Sequence, residues 1–216
     1  MNVSVVIPAY NEEKTISRVL EPLTEAENIG EIIVVSDGSI DNTAIVAESM
    51  GAKVIQLSSN KGKGGAMMVG VKASSHPVIL FLDADLLGLT PEHINDLIFP
   101  VLFEKYCMSV GVFEKGRVAT DLAQYFAPFL SGQRVVKRDV FNEISDIDAS
   151  RFGIEVVLTQ YVIDKKLPFK EVHLKDMSHV MKEEKLGFYQ GFKARMKMYW
   201  DIVKIVSKSF KTGTKD

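Results

Sequence analysis

Asp83 and Asp85 stand one residue apart, directly after the apolar run Val78-Ile79-Leu80-Phe81-Leu82. Two carboxylates side by side at the end of a buried segment repel each other and are costly to leave without a cation. Hard oxygen ligands of this kind suit Mg2+ or Mn2+, which bridge one or two carboxylates to the oxygens of a diphosphate. The same pair could instead cap a helix opening at Thr90-Pro91, so the acids alone leave both readings open. A second group is Lys61-Gly62-Lys63-Gly64-Gly65-Ala66. Its glycines let the backbone approach a ligand, Lys63 brings a positive charge, and a helix starting there aims its first amides at an anion. A phosphate fits such a segment; the plain alternative is a flexible glycine turn with solvated lysines. It is not a dinucleotide fingerprint, because Met67 stands where that pattern wants its third glycine and no glycines follow the first apolar run. Asp37 is read either as a ligand contact or as a turn residue beside Gly38, and Glu12 either as a ligand contact or as a first-turn helix acid.

These groups need elements to bring them together. Residues 3–8, 32–35, 53–57 and 78–82 are short apolar runs that read as strands. Between them, residues 11–27, 41–50 and 64–74 read as helices, with Asn11, Glu12, Asp41 and Thr43 as start signals. Such alternation predicts a mostly parallel α/β sheet with helices on both faces and a ligand site at the carboxyl ends of the strands. Past Asp85 the pattern predicts a helix over 91–105, a strand over 108–113 and a loop around Ser131-Gly132-Gln133-Arg134. A helix over 153–165, a strand over 169–174 and a long terminal helix over 186–210 follow.

A chain of 216 residues with 46% hydrophobic content supports one core, and no repeat, low-complexity tract or linker divides it. A formal net charge of −2 offers no global attraction to nucleic acid. The single cysteine, Cys107, makes no intrachain disulfide, and its apolar neighbours suggest a buried thiol. No basic leader opens the chain, and the apolar run 77–82 is far short of the ~20 residues that span a bilayer. The expectation is a soluble, cytoplasmic protein.

Four motifs in order carry a family resemblance. They are Val6-Ile7-Pro8-Ala9-Tyr10-Asn11-Glu12-Glu13, Ser36-Asp37-Gly38-Ser39-Ile40-Asp41-Asn42-Thr43, the Lys61–Ala66 segment, and Asp83-Ala84-Asp85. Together, over about the first 90 residues, they resemble the GT-A nucleotide-sugar glycosyltransferases of family 2. The resemblance implies a GT-A, Rossmann-like fold in one domain, with residues 1–90 binding the nucleotide sugar and 91–216 supplying the acceptor half and the terminal helix. It implies that Ala9 and Glu12 contact the nucleoside, Asp37 the base, Lys63 the base or phosphates, Asp83 the ribose and Asp85 the metal. Pro8, Tyr10, Gly38 and Ala84 complete that site.

Further on, Phe152-Gly153-Ile154-Glu155-Val156, Asp164, Val172-His173-Leu174, Ser178-His179 and Leu186-Gly187 resemble glucosyl-3-phosphoglycerate synthases and polyprenyl-phosphate sugar transferases. In the first group a histidine at the place of His179 completes the metal site; the alternative is a solvated loop histidine beside Lys182 and Glu183. His173 is read as a structural or surface residue. The Ser131-Gly132-Gln133 segment resembles one that lies over the donor, which brings Gly132 and Gln133 into the site. Glu155 is read as orienting the acceptor hydroxyl, as its general base, or as a helix-start acid. Arg117, Arg134, Lys137, Arg138 and Arg151 could hold an anionic acceptor, several of them being surface charges instead.

The implied activity is transfer of a sugar, glucose, from a UDP- or GDP-sugar to an acceptor oxygen such as that of a phosphorylated small molecule. Asp85, Glu155 and Lys63 are the catalytic candidates, and Mg2+ or Mn2+ the cofactor. The alternatives are a polyprenyl-phosphate sugar transferase at the membrane surface and a non-catalytic nucleotide-sugar-binding protein. Sugar-1-phosphate nucleotidyl transfer would want a glycine- and arginine-rich loop after the first strand, where Pro8-Ala9-Tyr10-Asn11 stands. In the terminal segment, Phe188, Phe192, Met196, Tyr199, Val203, Val206 and Phe210 make one apolar stripe, flanked by Lys193, Lys197, Lys204, Lys208 and Lys211. The stripe fits packing on the domain, a homodimer contact, or a peripheral membrane contact.

Overall fold

The apolar stretch at the start of the chain forms β1 (Val3–Ala9), in which every residue but the half-buried Pro8 is buried. Burial on both faces is the mark of a central parallel strand. The computed structural model describes residues 2–113, 131–144 and 153–179, all within one unit that ends at His179. After β1 come α1 (Ile16–Leu20), a 3-10 turn (Glu21–Thr24), β2 (Ile29–Ser36), α2 (Thr43–Ser49), β3 (Lys53–Gln56), α3 (Gly62–Ala73) and β4 (Val78–Phe81). Then follow β5 (Leu86–Leu87), α4 (Pro91–Leu102), β6 (Met108–Phe113), β7 (Arg134–Lys137), α5 (Arg138–Glu143), α6 (Ile154–Asp164), β8 (Phe169–Leu174) and β9 (Ser178–His179).

The main sheet has seven strands in the order β3-β2-β1-β4-β7-β6-β8, and β5 pairs with β9 in a separate ribbon. Only β7 runs against its neighbours; the other pairings in the main sheet are parallel. The chain builds outward from β1 to β3, then returns through α3 and adds β4 to the other side of β1. At such a reversal the crevice beyond the carboxyl ends of the two strands is left open for a ligand. Glu12 follows β1, Asp37 follows β2 and Asp83 follows β4, so the order of strands alone gathers these acids at one end.

Side chains alternate between two cores, as the two-residue period of a strand dictates. Val5, Ile7, Val34, Leu80 and Leu82 pack on one face with Ile16 and Val19 of α1 and Ile94, Leu97 and Ile98 of α4. Val6, Ile79, Phe81 and Val110 pack on the other with Met67 and Val71 of α3, Phe141 of α5 and Leu158 of α6. A Cβ on Gly70 would lie 2.3 Å from Val6 Cγ1, so glycine is what lets α3 sit this close to β1.

The strands over 108–113 and 169–174 match the sequence reading, and the other boundaries move for local reasons. α1 starts at Ile16 and not at residue 11, because Asn11 is left-handed (φ 55°) and its side chain bonds to the loop after β2 instead of capping a helix. α3 starts two residues earlier than expected, at Gly62, whose N–H donates to the Asn60 side-chain oxygen at 2.9 Å. Arg134, expected in a loop, opens β7. The expected helix over 186–210, and Arg117, Arg151 and Phe152, lie outside the described residues.

At the amino ends of the strands, Glu31 Oε1 accepts the Ser4 hydroxyl at 2.6 Å, the Ser75 N–H at 2.6 Å and the Ser75 hydroxyl at 2.7 Å. Burial alone would raise the Glu31 pKa, but these bonds and the nearby His76 outweigh it and bring it from 4.5 to about 2. The folded value is the lower one, so the stability this group contributes is complete above about pH 4.5 and is lost as the pH falls through about 2. Thermal melts of the parent and of Glu31→Gln should therefore differ at neutral pH and converge across that acid window. A difference that stays constant down to the lowest pH would contradict the assignment.

Candidate active site

The loops after β1 and β2 are stitched to each other. Asn11 donates its N–H to Ser39 Oγ (3.1 Å) and accepts the Ile40 N–H on Oδ1 (3.0 Å). Glu13 donates its N–H to Asp41 Oδ2 (3.2 Å) and accepts the Asn42 N–H on Oε2 (3.1 Å), while the Glu12 N–H reaches Thr43 Oγ1 at 2.8 Å. Burial pushes the Asp41 carboxyl up, but its bonds from Thr43 and from the Glu13 N–H prevail, and its pKa lies below the ordinary value. The Glu12 carboxylate accepts the Thr15 hydroxyl at 2.8 Å. Asp37 is 3% exposed; its N–H donates to the Ala9 carbonyl (2.8 Å) and its Oδ1 accepts the Lys61 N–H (2.7 Å). It thereby ties the end of β1 to the entrance of α3. Gly38 has φ +73°, and a Cβ on it would meet the Asn60 nitrogen at 2.8 Å. Ala9 is buried, whereas Tyr10 at the end of β1 is 49% exposed.

From the first turn of α3, the Lys63 ammonium reaches between two acids, 2.5 Å from Asp83 Oδ1 and 2.6 Å from Glu155 Oε1. Burial would lower the Lys63 pKa, but the two carboxylates hold it above its ordinary value, so the group is an ammonium. Burial likewise pushes Glu155 up, yet Lys63 and then Arg134 prevail and keep it a carboxylate below the usual range. The second oxygen of Asp83 accepts the Gln133 side-chain amide at 2.9 Å. Beside it, a Cβ on Gly132 would lie 2.4 Å and 2.5 Å from the two Asp83 oxygens, so no larger residue fits unless Asp83 moves. Gly153, at φ +81°, turns the chain into α6 so that Glu155 sits in its first turn.

Ala84 is buried and Asp85 half-buried in the turn after β4. The β5–β9 ribbon pairs Leu86 with His179 and Leu87 with Ser178, so the backbone at His179 lies across from the residue next to Asp85. Among the described residues no three His, Cys, Asp or Glu side chains form a metal-binding group of their own. Asp85 and a neutral imidazole from position 179 suit Mg2+ or Mn2+, which commonly keep few protein ligands and complete their shell with substrate phosphates and water.

The geometry corrects the reading of the cations. Arg134 is fully buried and donates to the carbonyls of Ser131 and Glu155, so it is no surface contact for an acceptor. Lys137 pairs with Val78 at the amino end of β4, the end away from the crevice. Arg138, next along, closes the end of α3 by donating to the carbonyls of Val71, Ser74 and His76. His173 is exposed on β8, at the edge of the sheet, and Cys107 is buried with its thiol pKa raised by that burial. Sequence reading missed the role of Arg134 and the stitching of the first two loops. The abundance of Asn, Asp and Ser in the first two motifs was the available signal for the stitching.

With this geometry the chain belongs to glycosyl transferase family 2, whose model matches residues 4–160. An uncharacterised protein of Methanocaldococcus jannaschii is 39% identical over 110 residues, half of this chain and 44% of that protein. The undecaprenyl-phosphate 4-deoxy-4-formamido-L-arabinose transferase of Shewanella sediminis is 33% identical over 154 residues, 67% of this chain and 45% of that protein. The glucosyl-3-phosphoglycerate synthase of Mycobacterium tuberculosis is 34% identical over 109 residues, 46% of this chain and 34% of that protein. The chain thus matches less than half the length of each of these relatives. Among solved structures, the Mycobacterium tuberculosis synthase with phosphoglyceric acid is similar at TM-score 0.73 and 26% identity, over 86% of this chain and 75% of that one. The same enzyme with Mn2+, UDP-glucose and phosphoglyceric acid gives 0.71 and 27%, over 86% and 74%. The described fold is of the GT-A type.

Gly132→Ala tests the crowding at Asp83. The added methyl must displace the carboxylate, and overpacking of this kind costs ~1–3 kcal/mol. Denaturant unfolding should register that loss, and a crystal structure of the variant should have Asp83 turned away from Gln133. An unmoved Asp83 at parental stability would mean the approach is looser than the distances state.

Proposed function

We propose that the protein is a metal-dependent glycosyltransferase that moves glucose from UDP-glucose to an oxygen of a phosphate-bearing acceptor. The observation that carries this reading is the Lys63 ammonium held between Asp83 and Glu155, where the loops after β1, β2 and β4 meet the start of α3. A donor diphosphate entering that crevice meets a cation and the first amides of α3, and a ribose hydroxyl can be held by Asp83. Pro8, Ala9, Tyr10, Glu12, Asp37 and Gly38 line the way for the nucleoside, and Gly132 and Gln133 cover the sugar. Asp85 and His179 would hold Mg2+ or Mn2+, which supplies the positive charge that neutralises the leaving diphosphate.

Glu155 orients a sugar or acceptor hydroxyl in this reading. A carboxylate kept below its usual pKa by Lys63 and Arg134 accepts a hydrogen bond well but is a weak base, so it is poorly suited to removing the proton. Support for donor and acceptor comes from the similar synthase, whose complexes hold Mn2+, UDP-glucose and phosphoglyceric acid. In this division residues 1–90 bind the donor and the rest serves the acceptor. A second reading, transfer to a polyprenyl phosphate, is favoured by the Shewanella sediminis relative, which matches a larger share of this chain than the synthase does in sequence. A cytoplasmic location fits either acceptor, and no helix among the described residues is long and apolar enough to cross a membrane.

UDP-glucose with Mn2+ should raise the stability of the purified protein by ~2.7 kcal/mol at 100 times its dissociation constant. Glucose should then pass to 3-phosphoglycerate and not to polyprenyl phosphate, the reverse outcome selecting the second reading. Stabilisation without any turnover or slow hydrolysis of the donor would make the protein a nucleotide-sugar sensor. Excess EDTA should abolish turnover, and Lys63→Ala should weaken donor affinity by ~1.5–3 kcal/mol through loss of a charge-assisted contact. Persistence of activity in EDTA, or parental affinity in Lys63→Ala, would remove the corresponding role.

His179→Ala should raise the Mn2+ concentration needed for turnover, and His173→Ala should not. Because a ligating imidazole must be neutral, metal-dependent activity should also decline as pH drops through ~6.5. Equal Mn2+ titrations for the parent and His179→Ala would take the histidine out of the metal site.

A further inference from the structure

Arg134 heads the large, fully buried side chains among the described residues, and the donor reading gives it no task. A guanidinium cannot shed its charge at neutral pH and carries five N–H groups, so burying one is costly unless its acceptors are well placed. The acceptors among the described residues fall on two segments. On the turn before β7, the Ser131 carbonyl accepts Nε at 3.2 Å and also Nη2. On α6, the Glu155 carbonyl accepts Nη1 at 2.8 Å and the Thr159 hydroxyl accepts it at 3.2 Å, that hydroxyl itself donating to the Glu155 carbonyl at 2.9 Å.

Each of the two segments also carries one part of the Lys63 cradle. The turn before β7 carries Gln133, whose amide holds Asp83 at 2.9 Å, with the Ser131 hydroxyl 3.2 Å from Gln133 Oε1 to orient that amide. The first turn of α6 carries Glu155, 2.6 Å from the Lys63 ammonium. We propose that Arg134 is a positioning residue of the donor site: its fork binds the Ser131 and Glu155 carbonyls at once and so sets the spacing of the two carboxylates that flank Lys63. A lysine cannot do this, since one compact ammonium lacks a rigid fork that spans both carbonyls. The consequence for catalysis rests on the function proposed above; the consequence for Gln133 does not.

The test uses Arg134→Lys, with Val19→Ala in α1 as a control that weakens the core on the other face of the sheet, away from both segments. On the ligand-free protein, NMR follows hydrogen exchange of the Gln133 side-chain amide. With UDP-glucose and Mn2+, kcat and KM are measured alone and in a Glu155→Gln background. Arg134→Lys should keep a cooperative melt, speed the Gln133 exchange about tenfold and lower kcat about tenfold, while the control leaves both near parental values. In the Glu155→Gln background the same change should cost less than about threefold, because the route runs through Glu155. Parental Gln133 exchange in Arg134→Lys, or an equal response in Val19→Ala, overturns the proposal, as do additive losses with Glu155→Gln. If Arg134→Lys does not fold, Thr159→Val decides: it removes one acceptor, and unchanged Gln133 exchange there overturns the proposal equally. Absence of any donor turnover in the parent refutes the proposed function alone, since the exchange measurement on ligand-free protein still decides the placement of Gln133.

Discussion

One ammonium between two carboxylates organises the crevice. Asp83 and Glu155 would repel each other across it, and each is too buried for water to screen that repulsion fully; Lys63 converts the repulsion into a bridge. Because the three side chains come from the turn after β4, from α6 and from α3, the same contact ties the first half of the chain to the second. The packing behind it keeps the parts in place. α3 is seated on β1 through Gly70, β4 lies next to β1, and α6 is held against the opening of β7 by Arg134. A site built this way has its charges preorganised before any ligand enters.

The two ends of the sheet divide the work. At the carboxyl ends, acids and a lysine are gathered at an open crevice. At the amino ends, Ser4 and Ser75 donate to Glu31, and Arg138 donates to the carbonyls of Val71, Ser74 and His76 at the end of α3. Both ends are polar, but in the second case the partners are complete within the protein, and its role is to hold strands and helix together. The antiparallel course of β7 separates its two cations accordingly, with Arg134 beside the crevice and Lys137 at the far end.

Much of this was legible in the sequence where local pattern decides it. The apolar runs at 3–8 and 78–82 lie within or close to the observed strands because a central parallel strand must be apolar on both faces. The acids fell at strand ends because the alternation of strands and helices leaves nowhere else for them. What could not be read were the pairings between distant segments. Asn11 carries good helix-capping chemistry, and nothing local reveals that a neighbouring loop takes its side chain instead. Arg134 reads as a surface cation because two of its acceptors are main-chain carbonyls, which leave no trace in residue type.

The ribbon of β5 and β9 has a consequence for the order in which the molecule assembles. It joins Leu86 to His179 across a long stretch of the sequence, after every strand of the main sheet has been added. Contacts of such separation carry a large loop-closure cost until the intervening chain is already compact, so they form late. The turn that bears Asp85 therefore acquires its partner strand only when the second half of the protein has closed on the first. A nascent or truncated chain can build the strands from β1 to β4 and still lack this ribbon.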